Sequence, residues 1–127
     1  AAVSYMVGVS LLAAEDLARS GIDAEVIDIR TAKPFDAETV LSSVRKTRRL
    51  VVADNGWLTC GLSAEVSSLV SEKLFGALAC GVRRVALPDL PAPASRTLER
   101  AYYPQAGCII RAVKNMLTKE RSWRTAG

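Results

Sequence analysis

A chain of 127 residues with a net charge of +4, 50% apolar and 24% charged, has the size of one domain and the balance of an ordinary globular protein. The charge is too mild to indicate nucleic-acid binding, no apolar run approaches the roughly 20 residues needed to cross a bilayer, and no signal peptide is visible; neither a nucleic-acid nor a membrane partner is expected. There is no histidine, and the three cysteines, Cys60, Cys80 and Cys108, are widely spaced. Ser–His and Cys–His nucleophile pairs are therefore excluded, and a zinc site is not expected.

In chain order, the spacing of Val7, Leu11, Ala14, Leu17 and Ala18 predicts a helix over 6–20 with these residues inward, closed by Gly21. The segment IDAEVIDI (22–29) then reads as a strand. It is apolar on both faces toward its end, as a central strand covered on both sides would be. A charged turn with Pro34 follows, and Asp36 is placed to cap a helix over 37–47 with Ala37, Val40, Leu41 and Val44 inward. Phe35 before the cap and Val40 inside it form a hydrophobic staple.

LVVA (50–53) is a short apolar strand, and DNGWLTCG (54–61) a loop leading to a helix over 62–79. Its inward stripe is Leu62, Val66, Leu69, Val70 and Leu74. VRRVAL (82–87) is the next strand. PDLPAPAS is a stiff connection, with Ser95 capping a short helix, and a last helix covers 108–119. The polar, basic segment 118–127 is expected to fray or to act as a linker. Strands alternating with helices imply an α/β domain with a mostly parallel sheet covered on both faces. Only AAVSY precedes the first helix, so the first strand is expected to be largely missing, as in an excised domain, leaving an edge of the sheet incomplete.

Few groups here could carry chemistry. The loop 54–61 joins a strand to a helix, where backbone N–H groups can bind anions, but it has neither a dinucleotide-binding nor a P-loop pattern. Trp57 in that polar loop suits an interface anchor or packing within the domain. The cluster RKTRR (45–49) is explained by its place at a helix C-terminus, where cations are favoured, with phosphate binding as the other reading. Asp89, Glu99, Tyr102 and Tyr103 could form a polar patch. Arg30 ends a strand at the carboxyl edge, where open α/β sheets bind ligands or partners, and is expected to make an internal or interface ion pair. No catalytic, cofactor-binding or metal-ligating residue is predicted.

The run DIRTAKPFDAET, the GW at Gly56 and Trp57, the connection PDLPAP and the YYP at 102–104 together resemble the C-terminal domain of transketolase-like thiamine-diphosphate enzymes. The similarity covers about residues 3–117, and the domain is taken as residues 1–117. The variant resembled most is the beta subunit of the decarboxylating component of 2-oxoacid dehydrogenases of the pyruvate, branched-chain or acetoin type.

The resemblance implies a three-layer α/β/α fold whose sheet has five strands, mostly parallel, with one antiparallel edge. It implies that thiamine diphosphate and magnesium belong to the whole enzyme and that this domain binds neither. The implied partners are an alpha subunit, a second beta subunit and, in some complexes, the subunit-binding domain of the lipoyl acyltransferase. The implied compartment is the cytoplasm, or the mitochondrial matrix in a eukaryote. Interface residues on this reading are Arg30, Asp54, Asn55, Gly56 and Trp57. DNGW replaces the more acidic pair usual before GW in these subunits. The competing readings are a stand-alone module that binds a nucleotide or anionic regulator through the 54–61 loop and residues 45–49, or the equivalent domain of a transketolase or a 2-oxoacid:ferredoxin oxidoreductase.

Overall fold

The computed structural model describes the backbone of residues 1–125 and the side chains of residues 1–118. The segment 118–127, expected to fray or link, lies almost wholly outside the described side chains.

Helix α2 (Ala37–Thr47) shows how local sequence sets an element. Asp36 stands at its N-cap and accepts from the Thr39 N–H (3.1 Å) and the Thr39 hydroxyl (2.6 Å). These bonds, the hydroxyl first, hold the Asp36 carboxyl below its usual range. At the other end Arg48 takes a left-handed conformation and its N–H closes on the Val44 carbonyl at 2.7 Å. Helix α1 (Tyr5–Arg19) ends as predicted. Gly21 has φ 74°, its N–H reaches the Ala18 carbonyl, and the Ile22 N–H reaches that of Leu17. This 6→1 and 5→2 pair satisfies carbonyls the helix end leaves open, and glycine adopts the left-handed turn without strain.

The sheet holds β1 (Ala2–Val3), β2 (Asp28–Ile29), β3 (Val51–Trp57) and β4 (Arg83–Leu87), in the order β2-β1-β3-β4 with every pairing parallel. Helices α2 and α3 (Leu62–Leu74) bury Val40, Leu41, Val44, Val66 and Val70 against one face. On the other face α1 and α5 (Ala106–Thr125) bury Met6, Val9, Ala13 and Ile109 with Ala2 and Ala53. Each fully buried aliphatic side chain contributes about 1.5–3 kcal/mol by transfer from water, so these two clusters hold the three layers together.

Several expectations change. Among the described residues the sheet has four strands, all parallel, and no antiparallel fifth. The 22–29 segment is strand only at Asp28–Ile29 and lies at the edge, not the centre. The short first strand is not at the edge: β1 sits between β2 and β3. The inward face of α1 is Met6, Val9, Ser10, Ala13 and Leu17, whereas Leu11 is 51% exposed, because the packing of α1 on α5 sets its rotation. Strand β3 continues through Trp57 into the stretch expected to be loop. The helix after it stops at Leu74, followed by a single 3₁₀ turn, Phe75–Ala77.

Candidate functional site

In a parallel sheet all strands end on one side, and the segments leaving them meet there. Tyr5 follows β1, Arg30 follows β2, Trp57 closes β3, and the 88–95 connection follows β4 and leads into α4 (Arg96–Tyr102).

Strand β3 reaches this edge through an irregularity. Ala53 pairs with Val85 and Trp57 with Leu87, so β3 places Asp54, Asn55 and Gly56 where β4 places only Ala86. Bulges of this kind re-aim side chains. Asp54 turns inward and is buried. Its Oδ1 accepts the Gly56 N–H at 2.8 Å and its Oδ2 accepts the Ser63 N–H at 2.9 Å. Ser63 lies in the first turn of α3, whose N-cap, Gly61, offers no side-chain acceptor. Asp54 thus caps that helix from nine residues away, with its negative charge against the positive end of the dipole.

The chain is folded tightly around this carboxylate. A Cβ on Gly61 would strike the Trp57 carbonyl oxygen, and one on Gly56 would lie 3.3 Å from Asp54 Oδ1. Trp57, two residues past Asn55, is turned out and is 58% exposed.

A second tie joins the loops after β3 and β4. The Leu58 N–H donates to the Leu87 carbonyl, and Arg84 Nη1 to the Leu58 carbonyl, both at 2.8 Å. Thr59 gives its N–H (3.1 Å) and hydroxyl (2.6 Å) to the two carboxylate oxygens of Asp89. Thr59, through its hydroxyl first and then its N–H, holds the Asp89 carboxyl below its usual range, and Arg84 adds to the effect. Beyond it the Tyr102 hydroxyl donates to the Leu90 carbonyl at 2.7 Å, and the Tyr102 and Tyr103 rings meet edge to face, 5.3 Å apart. Tyr5, Asn55, Glu99, Arg100, Tyr103 and Gln105 line an open cleft of about 310 Å³.

The residues predicted as a site are thus distributed unequally. Asn55, Gly56 and Trp57 lie together at this edge, with Asp54 beneath them. Arg30 stands at the end of the far edge strand, its side chain 85% exposed and its Nε 3.2 Å from Asp28 Oδ2. It is a surface pair, not an internal one, and by itself contributes little to stability. Sequence reading missed the Thr59–Asp89 tie, which joins residues 30 apart and has no local signal. It also missed the capping role of Asp54, for which the Asp-x-Gly pattern was a usable sign.

Among the described residues no group of three His, Cys, Asp or Glu is placed to hold a metal ion. The loop N–H groups of Gly56, Leu58, Thr59 and Ser63 are already given to protein acceptors. A buried carboxylate also stands where an anion would bind at α3. The basic residues 45–49 lie at the opposite edge of the sheet, before β3 begins, and seven strand residues separate the two ends by roughly 20 Å. Arg45 and Lys46 pair there with Glu38 and Glu25. The anion-binding module read from the 54–61 loop plus residues 45–49 is therefore not one site. What the edge does display is exposed apolar side chains, Tyr5, Trp57, Leu58, Leu90 and Leu98, on tied segments.

A family model described as the transketolase C-terminal domain matches residues 1–109. The chain is 45% identical over 116 residues to the mitochondrial pyruvate dehydrogenase E1 component subunit beta of Ascaris suum, covering 91% of this chain and 32% of that protein. It is 43% identical over 112 residues to the acetoin:2,6-dichlorophenolindophenol oxidoreductase subunit beta of Cupriavidus necator, covering 88% of this chain and 33% of that protein. The chain therefore spans about one third of the length of these relatives. Among solved structures, a split-gene transketolase described as an inactive beta4 tetramer superposes with a TM-score of 0.80 at 28% identity, over 92% of this chain and 38% of that one.

Proposed function

The chain belongs to the transketolase C-terminal domain family, and from that membership we propose that it is the assembly domain of a 2-oxoacid dehydrogenase beta subunit. The whole enzyme would decarboxylate a 2-oxoacid oxidatively with thiamine diphosphate and magnesium and pass the acyl group to lipoyl. This domain contributes contact surface and no catalytic group.

The observation that carries the reading is identity of 43–45% across nearly the whole chain to two beta subunits of such enzymes. The geometry supports it. At the α3 N-terminus, where a phosphate could sit, the Asp54 carboxylate already accepts the Ser63 N–H. On this reading the cofactor contacts belong to parts of the enzyme outside these residues. The partners on this reading are an alpha subunit and a second beta subunit, with the subunit-binding domain of the lipoyl acyltransferase as a further one. The location is the cytoplasm or, in a eukaryote, the mitochondrial matrix. Trp57, Asn55 and Gly56 are the proposed contacts on the rigid carboxyl edge, Asp54 holds them in shape, and Arg30 lies at the outer end of the same edge.

Domain replacement tests the proposal. The chain is exchanged for the matching third of the Cupriavidus necator subunit beta and co-expressed with its partner subunit. Recovery of the native assembly size and of turnover is expected. A chimera that folds but stays unassembled would refute it. Calorimetry of the isolated chain with thiamine diphosphate is expected to show no micromolar binding.

A further inference from the structure

The strand order β2-β1-β3-β4 reverses direction between β1 and β3. From β1 the chain leaves through α1 to one helical layer, and from β3 through α3 to the other. The segments leaving these two strands diverge, and open parallel sheets bind ligands in the crevice that such a reversal opens at the carboxyl edge. The cleft of about 310 Å³ stands at this point. Tyr5, one of its walls, is the first residue of α1, and Asn55, another, belongs to β3. The rest of its lining comes from the chain that follows β4. Glu99 and Arg100 reach it from α4, and Tyr103 and Gln105 from the short stretch before α5.

The walls are fixed, while the charged groups on them are uncommitted. Next to Asn55, the Gly56 N–H is held by Asp54. On the opposite wall the Tyr103 N–H donates to the Glu99 carbonyl at 3.1 Å, and Gln105 Nε2 to the Tyr103 carbonyl at 3.0 Å. Among the described residues, by contrast, the side chains of Asn55, Glu99 and Arg100 have no hydrogen-bond or ion-pair partner. Glu99 and Arg100 are successive residues of a helix, so their side chains leave it about 100° apart and do not meet. A carboxylate and a guanidinium therefore reach one cleft from separate directions, and the charge lining it is balanced.

We infer that this cleft binds a small zwitterion, an α-amino acid with an aliphatic side chain. Arg100 takes the ligand's carboxylate, which its planar fork matches, and Glu99 takes its ammonium. The Asn55 amide offers a donor and an acceptor to the same two groups. Tyr5 and Tyr103 give the aromatic surface on which the aliphatic part lies. At roughly 30 Å³ for each water-sized group, the cleft admits about ten non-hydrogen atoms, the size of leucine or isoleucine. A plain acid or amine of that size leaves one of the two charged side chains without a counter-charge. The inference stands apart from the assembly role, because it concerns the isolated chain and its own residues.

The test titrates the nitrogen-15-labelled 127-residue chain with three probes, followed by amide chemical shifts. The probes are leucine, isocaproate (leucine without its ammonium) and isoamylamine (leucine without its carboxylate). Leucine is expected to shift the amides of Tyr5, Asn55, Arg100 and Tyr103 with a Kd on the order of 1 mM, a modest efficiency for so small a ligand. Each of the other probes is expected to bind about tenfold more weakly, the scale of one charge-assisted hydrogen bond. Glu99 and Arg100 are both exposed, so their substitution leaves the fold intact. Glu99→Gln is expected to weaken leucine about tenfold without weakening isocaproate, and Arg100→Gln to weaken leucine equally without weakening isoamylamine. No shifts at about ten times the expected Kd, shifts confined to residues outside the cleft, or equal affinity for all three probes would overturn the inference. So would either variant binding leucine as the parent chain does.

Discussion

Replacing Asp54 by alanine tests whether the carboxyl edge is held from beneath. The substitution removes the acceptor of two N–H groups, those of Gly56 and Ser63. Leaving a buried donor without a partner costs about 1–3 kcal/mol. Ser63 is fully buried, so its N–H bears that cost, whereas Gly56 is half-buried and water can replace part of its bond. With loss of the only described side-chain cap on α3, the total is about 2–4 kcal/mol, a large share of the 5–15 kcal/mol typical of a domain. Urea denaturation followed by far-ultraviolet circular dichroism reads the loss.

Asp54→Asn is expected to lose roughly half as much, because one amide oxygen can serve one N–H while the amide NH₂ faces the other. Ser63→Ala is the local control. Its hydroxyl is buried without a partner, so removing it is expected to be neutral or to stabilise by up to about 1 kcal/mol. If Asp54→Ala falls within about 0.5 kcal/mol of the parent, a scale at which surface changes also lie, the platform argument fails.

Two glycines give opposite outcomes in the same denaturation assay. Gly61→Ala drives a Cβ into the Trp57 carbonyl and is expected to cost several kcal/mol or prevent folding, whereas Gly8→Ala, in an open position on α1, is expected to gain about 0.5–1 kcal/mol. The pH dependence of the 127-residue chain follows from Ala1. Its folded pKa of about 6 lies below the ordinary 8.0, so the unfolded chain binds the extra proton between these values. Stability is therefore expected to rise by about 2 kcal/mol from pH 6 to pH 8 and to be lost as pH falls back, a slope that N-terminal acetylation abolishes. Trp57→Ala and Arg30→Ala, both at exposed positions, are expected to change the isolated domain's stability by less than about 0.5 kcal/mol. In the assembled chimera they are expected to weaken subunit association, read by sedimentation, while turnover per intact assembly stays constant.

What the sequence revealed depended on how far apart the deciding residues lie. The cap and body of α2 were legible because Asp36, Thr39 and the Val40, Leu41 and Val44 stripe act within three turns of one helix. The close of α1 at Gly21 was legible for the same reason. The rotation of α1 was not, because residues near 109, about 100 positions away, decide which face is buried. The standing of 22–29 was misread for a related reason. Its alternating pattern specifies a strand that could be covered on both faces, but ladder membership depends on a neighbour, and β1 supplies only two residues of one.

The proposed contact edge shows the same division. Trp57 was read as either an interface anchor or an aromatic packed within the domain, and its outward projection rests on Asp54 reaching Ser63 and on Thr59 reaching Asp89, contacts that cross between elements. A carboxylate that looked like a surface contact acts as the buried support of that surface. If this edge is the proposed contact surface, it is sensitive at residues no partner touches. Substitutions at Asp54 and Gly61 are thus expected to impair assembly through shape, and those at Trp57 through contact, and only the first pair carries a stability loss in the isolated domain.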